Sequence, residues 1–353
     1  MQTVHDAFAA TAARTPDAAF LCVESITAAA YGIPAGEITW REAASEVERW
    51  RRRYAEAGYG HGHRVGLLLE NRPEFLFHWF ALNALGASVV PINAEMRSAE
   101  LEYLTGHSGI VLAVTLPGRA ADLQAAAARA NAQSAAADAG AQATASSAHP
   151  KTGSGRAGMA LATFETGGDG PLPGALTAAP RAADPIGSDT ECALLYTSGT
   201  TGRPKGCMLS NGYFVSTGRW YAGLDEVCEV RPDRERIITP LPLNHVNAMA
   251  FSLMVVLVAG GCLVQLDRFH PQTWWQSVRE SRATIIHYLG VMPAMLIVAE
   301  PSSDDSRHEV RWGFGAGVDH KNHAAFEARF GFPLAEAWAM TETGAAAAVM
   351  ATR

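Results

Sequence analysis

The sequence predicts an α/β fold, with layered parallel or mixed sheets and flanking helices. Two features carry that expectation. Short aliphatic and β-branched runs alternate with helical segments toward both ends of the chain, and most segments are bounded by a cap, a proline or a glycine. In residues 1–117, Thr39 and Glu42 form a capping box that opens a helix reaching Ala57, and Gly58 stops it. A strand follows over 64–69, and Pro73 starts a helix that ends near Gly86. Residues 89–91 read as a short strand, 98–107 as a helix and 110–115 as another strand.

Residues 118–188 break the pattern. Alanine dominates 123–148, and Gly, Pro, Ser and Thr then take over as far as Ser188. That composition predicts an Ala-rich helix near 120–138, then a disordered or loosely packed connector without chemistry of its own. Alternation returns over 189–353. The apolar run 192–196 reads as a buried strand, 236–241 as a strand, 247–259 as a helix and 262–266 as a strand. Pro271 starts a helix through Arg282, and 284–288 is a strand. Asp319 caps a helix to Phe330, Gly331 stops it, and 334–338 is the last strand. The expected organisation is two α/β subdomains, 1–117 and 189–353, joined by a connector over 118–188.

Composition bounds the function. The chain has 353 residues, enough for a large core or several subdomains, and its 48% hydrophobic content is that of a globular protein. A net charge of −7 without any basic block argues against a nucleic-acid partner. The cysteines at 22, 192, 207, 228 and 262 lie far apart with no CxxC pair, which disfavours a disulfide framework or zinc site and fits a reducing cytoplasm. The N-terminus lacks the basic-then-apolar pattern of a signal peptide. Residues 248–264 are nearly all apolar, but Ser252 and Gly260-Gly261 leave them short of the about 20 residues that span a bilayer. They read as a buried helix running into a strand.

The run Tyr196-Thr197-Ser198-Gly199-Thr200-Thr201-Gly202-Arg203-Pro204-Lys205-Gly206 is the most informative stretch. Glycines let the backbone turn and bring N–H groups to an anion, the hydroxyls donate to phosphate oxygens, and Lys205 adds a point charge. It is not a Walker loop, because Pro204 and Gly206 oppose a helix at the lysine. The run resembles the signature of the adenylate-forming enzymes, which comprise acyl- and aryl-CoA synthetases, adenylation domains and luciferases. In that family the loop holds the triphosphate of ATP, which implies a role for Thr197, Ser198, Gly199, Thr200, Thr201, Gly202 and Lys205. A second segment, Glu336-Ala337-Trp338-Ala339-Met340-Thr341-Glu342, resembles the family's Tyr-Gly-Met-Thr-Glu, with Trp338 in place of Tyr and Ala339 in place of Gly. By that resemblance Trp338 stacks on adenine, Thr341 reaches the α-phosphate, and Glu342 with Thr200 holds Mg²⁺.

Three weaker segments gain meaning beside these. His245 follows Pro240-Leu241-Pro242-Leu243-Asn244 where a strand ends and a helix begins. A histidine there is ordinarily a cap or surface residue. The family has a Leu-Pro-aromatic-His segment beside its acyl pocket, although Asn244 replaces the aromatic. Gly313-Phe314-Gly315-Ala316-Gly317 is a poor dinucleotide fingerprint, since Val318 stands where the next Gly is needed. The resemblance instead makes Gly315, Ala316 and Gly317 a small-residue turn between acyl pocket and adenine. His245, Asn247, Ala248, Phe251, Tyr288, Gly290 and Gly315 are the implied pocket residues, and ordinary core packing explains most of those side chains equally well.

The resemblance implies the large N-terminal domain of an adenylate-forming enzyme, incomplete at its C-terminal end. Within the family the chain looks most like ATP-dependent acyl-CoA ligases of the crotonobetaine/carnitine-CoA ligase type. Thr200, Lys205, His245 and Glu342 are the implied catalytic residues. ATP, Mg²⁺ and CoA are the implied cofactors and co-substrates, a small carboxylic acid is the substrate, and a homo-oligomer is compatible. The family's ribose-binding Asp, hinge and C-terminal domain with its Lys do not follow Thr343-Gly344, so the expectation is an impaired ligase. A domain that loads a carrier protein and a non-catalytic nucleotide-binding or interaction protein remain the alternatives.

Overall fold

The computed structural model describes residues 1–144, 161–166, 170–197 and 203–350, apart from the side chains of 134, 136–144 and 345–350. The chain opens with α1 (Val4–Arg14), β1 (Ala19–Val23), α2 (Ser25–Tyr31), β2 (Gly36–Thr39) and α3 (Trp40–Glu56). There follow β3 (Arg64–Leu68), α4 (Pro73–Ala84), β4 (Ser88–Pro91), α5 (Ser98–Ser108), β5 (Leu112–Thr115), α6 (Ala120–Thr144) and β6 (Ala162–Glu165). A hairpin of β7 (Glu191–Thr197) and β8 (Lys205–Ser210) leads into α7 (Asn211–Ala222), then β9 (Arg236–Thr239), a π-helical turn (Asn247–Ser252), α8 (Leu253–Ala259) and β10 (Cys262–Gln265). The remainder is α9 (Trp274–Glu280), β11 (Ile285–Leu289), α10 (Val291–Val298), β12 (Trp312–Ala316), α11 (His320–Phe330), β13 (Leu334–Met340) and β14 (Gly344–Met350).

The strands form two sheets. The larger runs β14-β13-β12-β11-β9-β10-β1-β2, parallel throughout except at its antiparallel edges β14 and β2. The smaller runs β6-β5-β3-β4-β7-β8, parallel except for β8. Each sheet takes strands from both sides of the expected boundaries at 117 and 189. β1 and β2 join strands from 236–350, whereas β7 and β8 join β3–β6.

Apolar burial explains this arrangement. Every residue of α4 from Phe75 to Asn83 is buried, as expected of a helix covered on all sides. Helices α1, α4, α7 and α8 pack on one another, with Phe8 stacked on Phe80 at 4.7 Å and Trp79 edge-on to Phe214 at 5.2 Å. A separate apolar cluster under α5 and α6 joins Leu68, Val90, Leu101, Leu104, Leu123 and Ala126. There α6 approaches so closely that a Cβ on Gly106 would lie 3.0 Å from Ala130 Cβ.

The segment expected as a loose connector is tied down where it is described. The Ala-rich helix continues to Thr144, β6 extends the smaller sheet beside β5, and Leu172 is buried. Ala175 N–H donates to Ala57 O at 2.7 Å and Arg181 N–H to His61 O at 3.0 Å. Elsewhere the expected helix over 247–259 begins as a π turn, and its last residue, Ser252, holds Oγ 2.7 Å from His287 Nδ1. The helix expected from Pro271 starts at Trp274 and ends at Glu280, and Arg282 adopts φ 52° beyond it. The apolar run 248–264 is α8 running into β10, and among the described residues no helix is long and apolar enough to cross a membrane.

Two buried polar nodes hold the layers in register. Asn211 Oδ1 accepts from Val4 N–H (3.0 Å) and Asn83 Nδ2 (2.8 Å), while its Nδ2 donates to Gly187 O (3.2 Å) and Thr190 O (3.3 Å). Glu235, 1% exposed, receives Arg231, Arg311 and Thr284 at the starts of β9, β11 and β12. Burial is the largest influence on Glu235 and would raise its pKa. Hydrogen bonds from Arg231 and Thr284 outweigh it and hold the carboxyl below the ordinary Glu value.

Asn211→Ala leaves the buried Val4 N–H without its acceptor and takes one of several partners from Asn83 Nδ2, Gly187 O and Thr190 O, and should cost roughly 1–3 kcal/mol in urea unfolding. Because the folded pKa of Glu235 is depressed, its contribution is complete above the unfolded value of about 4.3 and is lost as pH falls through the folded value. Glu235→Gln should therefore be less stable than the parent at pH 7, and the gap should narrow as acid protonates the parent carboxyl.

Candidate nucleotide site

The β7–β8 hairpin carries the Gly/Thr-rich run. In its register Tyr196 opposes Gly206 and Thr197 opposes Lys205, so the lysine starts a strand, in keeping with the non-Walker reading. Ser198, Gly199, Thr200, Thr201 and Gly202 lie outside the described residues. Lys205 is exposed, and its ammonium makes no ion pair among the described residues.

The second motif comes from the other sheet. β13 carries Glu336, Ala337, Trp338, Ala339 and Met340, and a turn at Thr341-Glu342-Thr343 leads to β14. This turn meets the hairpin at Cys207, two residues along β8 from Lys205 and therefore on the same face. Burial, first, and then the neighbouring Glu342 carboxylate push the Cys207 thiol pKa up, while Thr197 beside it acts the other way. Tyr213 on α7 stands beside them. Its hydroxyl is buried without a hydrogen-bond partner among the described residues, and burial, then Cys207 and Glu342, raise its pKa. Gly344, at φ 73°, packs against this ring, and a Cβ there would sit 3.1 Å from Tyr213 Cε2. Thr197, Lys205 and Glu342 are thus gathered in one place. Cys207 and Tyr213, which the motifs did not single out, line the seam.

The turn expected at Gly315, Ala316 and Gly317 is mostly strand. Gly315 and Ala316 belong to β12, and only Gly317, at φ 78°, turns. The physical reason is close approach, since a Cβ on Gly315 would lie 2.3 Å from Tyr288 O. Glu336 closes that turn by accepting from Gly317 N–H (2.8 Å) and Val318 N–H (3.2 Å). Trp338 is 59% exposed, which leaves ring surface free for a ligand.

The residues expected around an acyl group divide into two sets. His245 is exposed at the turn before the π helix, and desolvation by its surroundings lowers its pKa. Asn247 Oδ1 lies 3.4 Å from His287 Nδ1. Ala248, Phe251 and Tyr288 are instead buried, and Tyr288 Oη donates to Ala335 O at 2.9 Å. Gly290 touches Gly317, whose carbonyl oxygen would be 1.7 Å from a Cβ at residue 290. Around them Tyr221, His287, Phe251 and Phe314 form a packed aromatic cluster, in which burial pushes His287 down to about 3. A cavity of about 580 Å³ is lined by Asn244, the residue before His245, with Pro240 and Pro242, and by Asn71 and Asn93, at the C-terminal ends of β3, β4 and β9. A cavity of about 550 Å³ lies at the opposite strand ends, among His61, His63, Arg64 and Arg181, away from the gathered motifs.

Residues 8–353 match the family model described as AMP-binding enzyme. The chain belongs to the AMP-binding enzyme family. It is 28% identical over 310 residues to the crotonobetaine/carnitine–CoA ligase of Shigella flexneri serotype 5b (strain 8401), covering 86% of this chain and 56% of that protein. Identity to the ligase of the same name from Escherichia coli (strain K12 / DH10B) is also 28%, over 86% of this chain and 55% of that protein. The chain therefore spans little more than half the length of these curated relatives. In fold it resembles the inhibitor-bound N-terminal domain of FACL13 from Mycobacterium tuberculosis (TM-score 0.74, 20% identity, 99% of this chain and 79% of that one). It also resembles ATP-bound MatB from Rhodopseudomonas palustris (TM-score 0.74, 22% identity, 99% and 62%). The α/β architecture is that of the FACL13 N-terminal domain.

Removing the Glu342 charge tests the seam directly. Glu342→Gln should lower the Cys207 pKa toward its ordinary value, so Cys207 should react faster with iodoacetamide at pH 8, read by mass spectrometry of its peptide.

Proposed function

We propose that this chain carries the ATP- and acid-binding part of an acyl-CoA ligase that activates a carboxylic acid as its adenylate. The observation that carries this reading is the convergence of Thr197 and Lys205 from one sheet with Glu342 from the other. ATP lies with its phosphates between the hairpin and the Thr341-Glu342 turn, and Trp338 offers its exposed face to adenine. Thr197, with Ser198 to Gly202, donates to the phosphates, and Lys205 faces their outer charge. Thr341 reaches the α-phosphate, while Gly315 to Gly317 and Glu336 to Met340 border the nucleotide.

The donor set also fits Mg²⁺. Glu342 offers exposed carboxylate oxygens, which are hard donors. That suits an ion that shares its shell with phosphate and water, with Thr200 as the second protein ligand. Bound there, it would neutralise phosphate charge. A carboxylate oxygen attacks the α-phosphorus in line, the bond to the β-phosphate oxygen breaks, and pyrophosphate leaves. The CoA sulfur then attacks the acyl carbon, AMP departs with the electron pair, and the thiol proton passes to solvent. His245 and Asn247 stand at the mouth of the acid's site, with Ala248, Phe251, Tyr288, Gly290 and Gly315 as its deeper wall. The acid's identity and CoA as acceptor belong to this proposal.

Isothermal titration with Mg·ATP, and pyrophosphate release over a panel of short, branched, aromatic and betaine-like acids, test it. Lys205→Ala should weaken Mg·ATP binding by roughly tenfold or more, the cost of a charge-assisted phosphate contact. Unchanged affinity would remove the phosphate assignment. Release with one acid, followed by thioester formation on CoA and not on a carrier protein, would establish the ligase. ATP binding without release under any acid would favour a nucleotide-binding protein instead.

A further inference from the structure

Tyr103 and His107 lie one helical turn apart on α5, with their rings stacked at 5.2 Å and 18°. Their polar ends reach opposite sides of the hairpin's open end. Tyr103 Oη donates to Pro204 O at 2.8 Å, and His107 Nδ1 shares a 2.8 Å hydrogen bond with Tyr196 Oη. The Tyr196 ring lies edge-on to both, at 6.4 and 5.8 Å, and the Arg203 guanidinium stands 6.0 Å above the Tyr103 ring. Pro204 immediately precedes Lys205, and Tyr196 immediately precedes Thr197. The two hydrogen bonds therefore bracket the Thr197–Lys205 pair that ends the ladder.

That end needs an external hold. β8 is the edge strand of its sheet, with no further strand hydrogen-bonded to its outer side among the described residues, and a ladder ending at an edge is its weakest part. Lys205 is exposed, so its own side chain does not anchor it. α5 supplies the anchor and is itself braced from behind. α6 closes on it at Gly106, and Glu102 pairs with Arg129 at 2.9 Å. The Ala-rich helix, although remote from the chemistry, is the backing of this contact.

We infer that Tyr103 and His107 are positioning residues that fix Thr197 and Lys205 for the outer phosphates of ATP, the aromatic pair of α5 clamping the mouth of the β7–β8 hairpin. This inference rests on the nucleotide reading of the hairpin. Their effect should fall on ligands that extend to Lys205, and should act through Lys205 rather than add to it.

The test is isothermal titration of Mg·ATP and of AMP into the 353-residue chain, comparing the parent, Tyr103→Phe, His107→Ala, Lys205→Ala and the double variant Tyr103→Phe/Lys205→Ala. Tyr103→Phe keeps the ring and loses one hydrogen bond. It should weaken Mg·ATP roughly three- to tenfold, leave AMP within about twofold, and add nothing once Lys205 is gone. His107→Ala should act in the same direction. Parent-like ATP affinity in both clamp variants, with Lys205→Ala weakened, would overturn the clamp and spare the hairpin reading. Equal losses for ATP and AMP, or full additivity with Lys205→Ala, would overturn it as well by revealing a general structural role. No ATP binding by the parent, or none lost in Lys205→Ala, would remove the hairpin reading and the clamp together.

Discussion

One buried amide holds the arrangement on which the rest depends. Asn211 satisfies both of its polar atoms against α1, α4 and the segment that leads into β7, and it does so at the first residue of α7. A side chain with four partners in three segments of the chain tolerates little sliding of any of them. Leucine would fill the same space without fixing direction, because apolar contact is not directional and hydrogen bonding is. The node thus converts loose burial into a defined register. It lies where the hairpin turns into the helix, so the hairpin inherits that register.

α7 carries the register across the molecule. Its start is joined to β8 of the smaller sheet, while Tyr213 in its first turn packs under Gly344 at the edge of the larger one. The two halves of the candidate site therefore come from different sheets and meet over a single helix. Lys205 and Glu342 are both exposed, so neither pays the desolvation that a buried ion pair would demand. Their charges stay available to a ligand. The neighbouring groups feel this differently, because Cys207 and Tyr213 are partly enclosed and are kept protonated.

The legible parts of the sequence were those where chemistry is compressed into a few adjacent residues. The 196–206 run and the 336–344 segment announced themselves by composition, and the helices opened by Thr39, Pro73 and Asp319 by caps. Other local signals are present as well. Thr3 and Asp6 form a full capping box for α1, and Ser210 caps α7 by accepting from Tyr213 N–H. β8 was hidden because its Lys-Gly-Cys-Met-Leu-Ser has neither clean alternation nor an apolar run, as an edge strand permits. β6 was masked by the Gly- and Ser-rich residues around it. What no local pattern carries is direction at a distance. Nothing near Cys207 says that Glu342 will arrive beside it.

The order of strands in the larger sheet also governs how the chain assembles. β1 is complete by residue 23, yet its parallel partner is β10, at 262–265. As the polypeptide leaves the ribosome, the β1–β2 ribbon must wait with one edge unpaired while the entire smaller sheet, complete by residue 210, is synthesised. The smaller sheet can close during that interval, whereas the larger one cannot. An early ribbon with an open edge is a natural client for a chaperone, and the nascent chain is most exposed to misassociation while its first strand awaits its tenth.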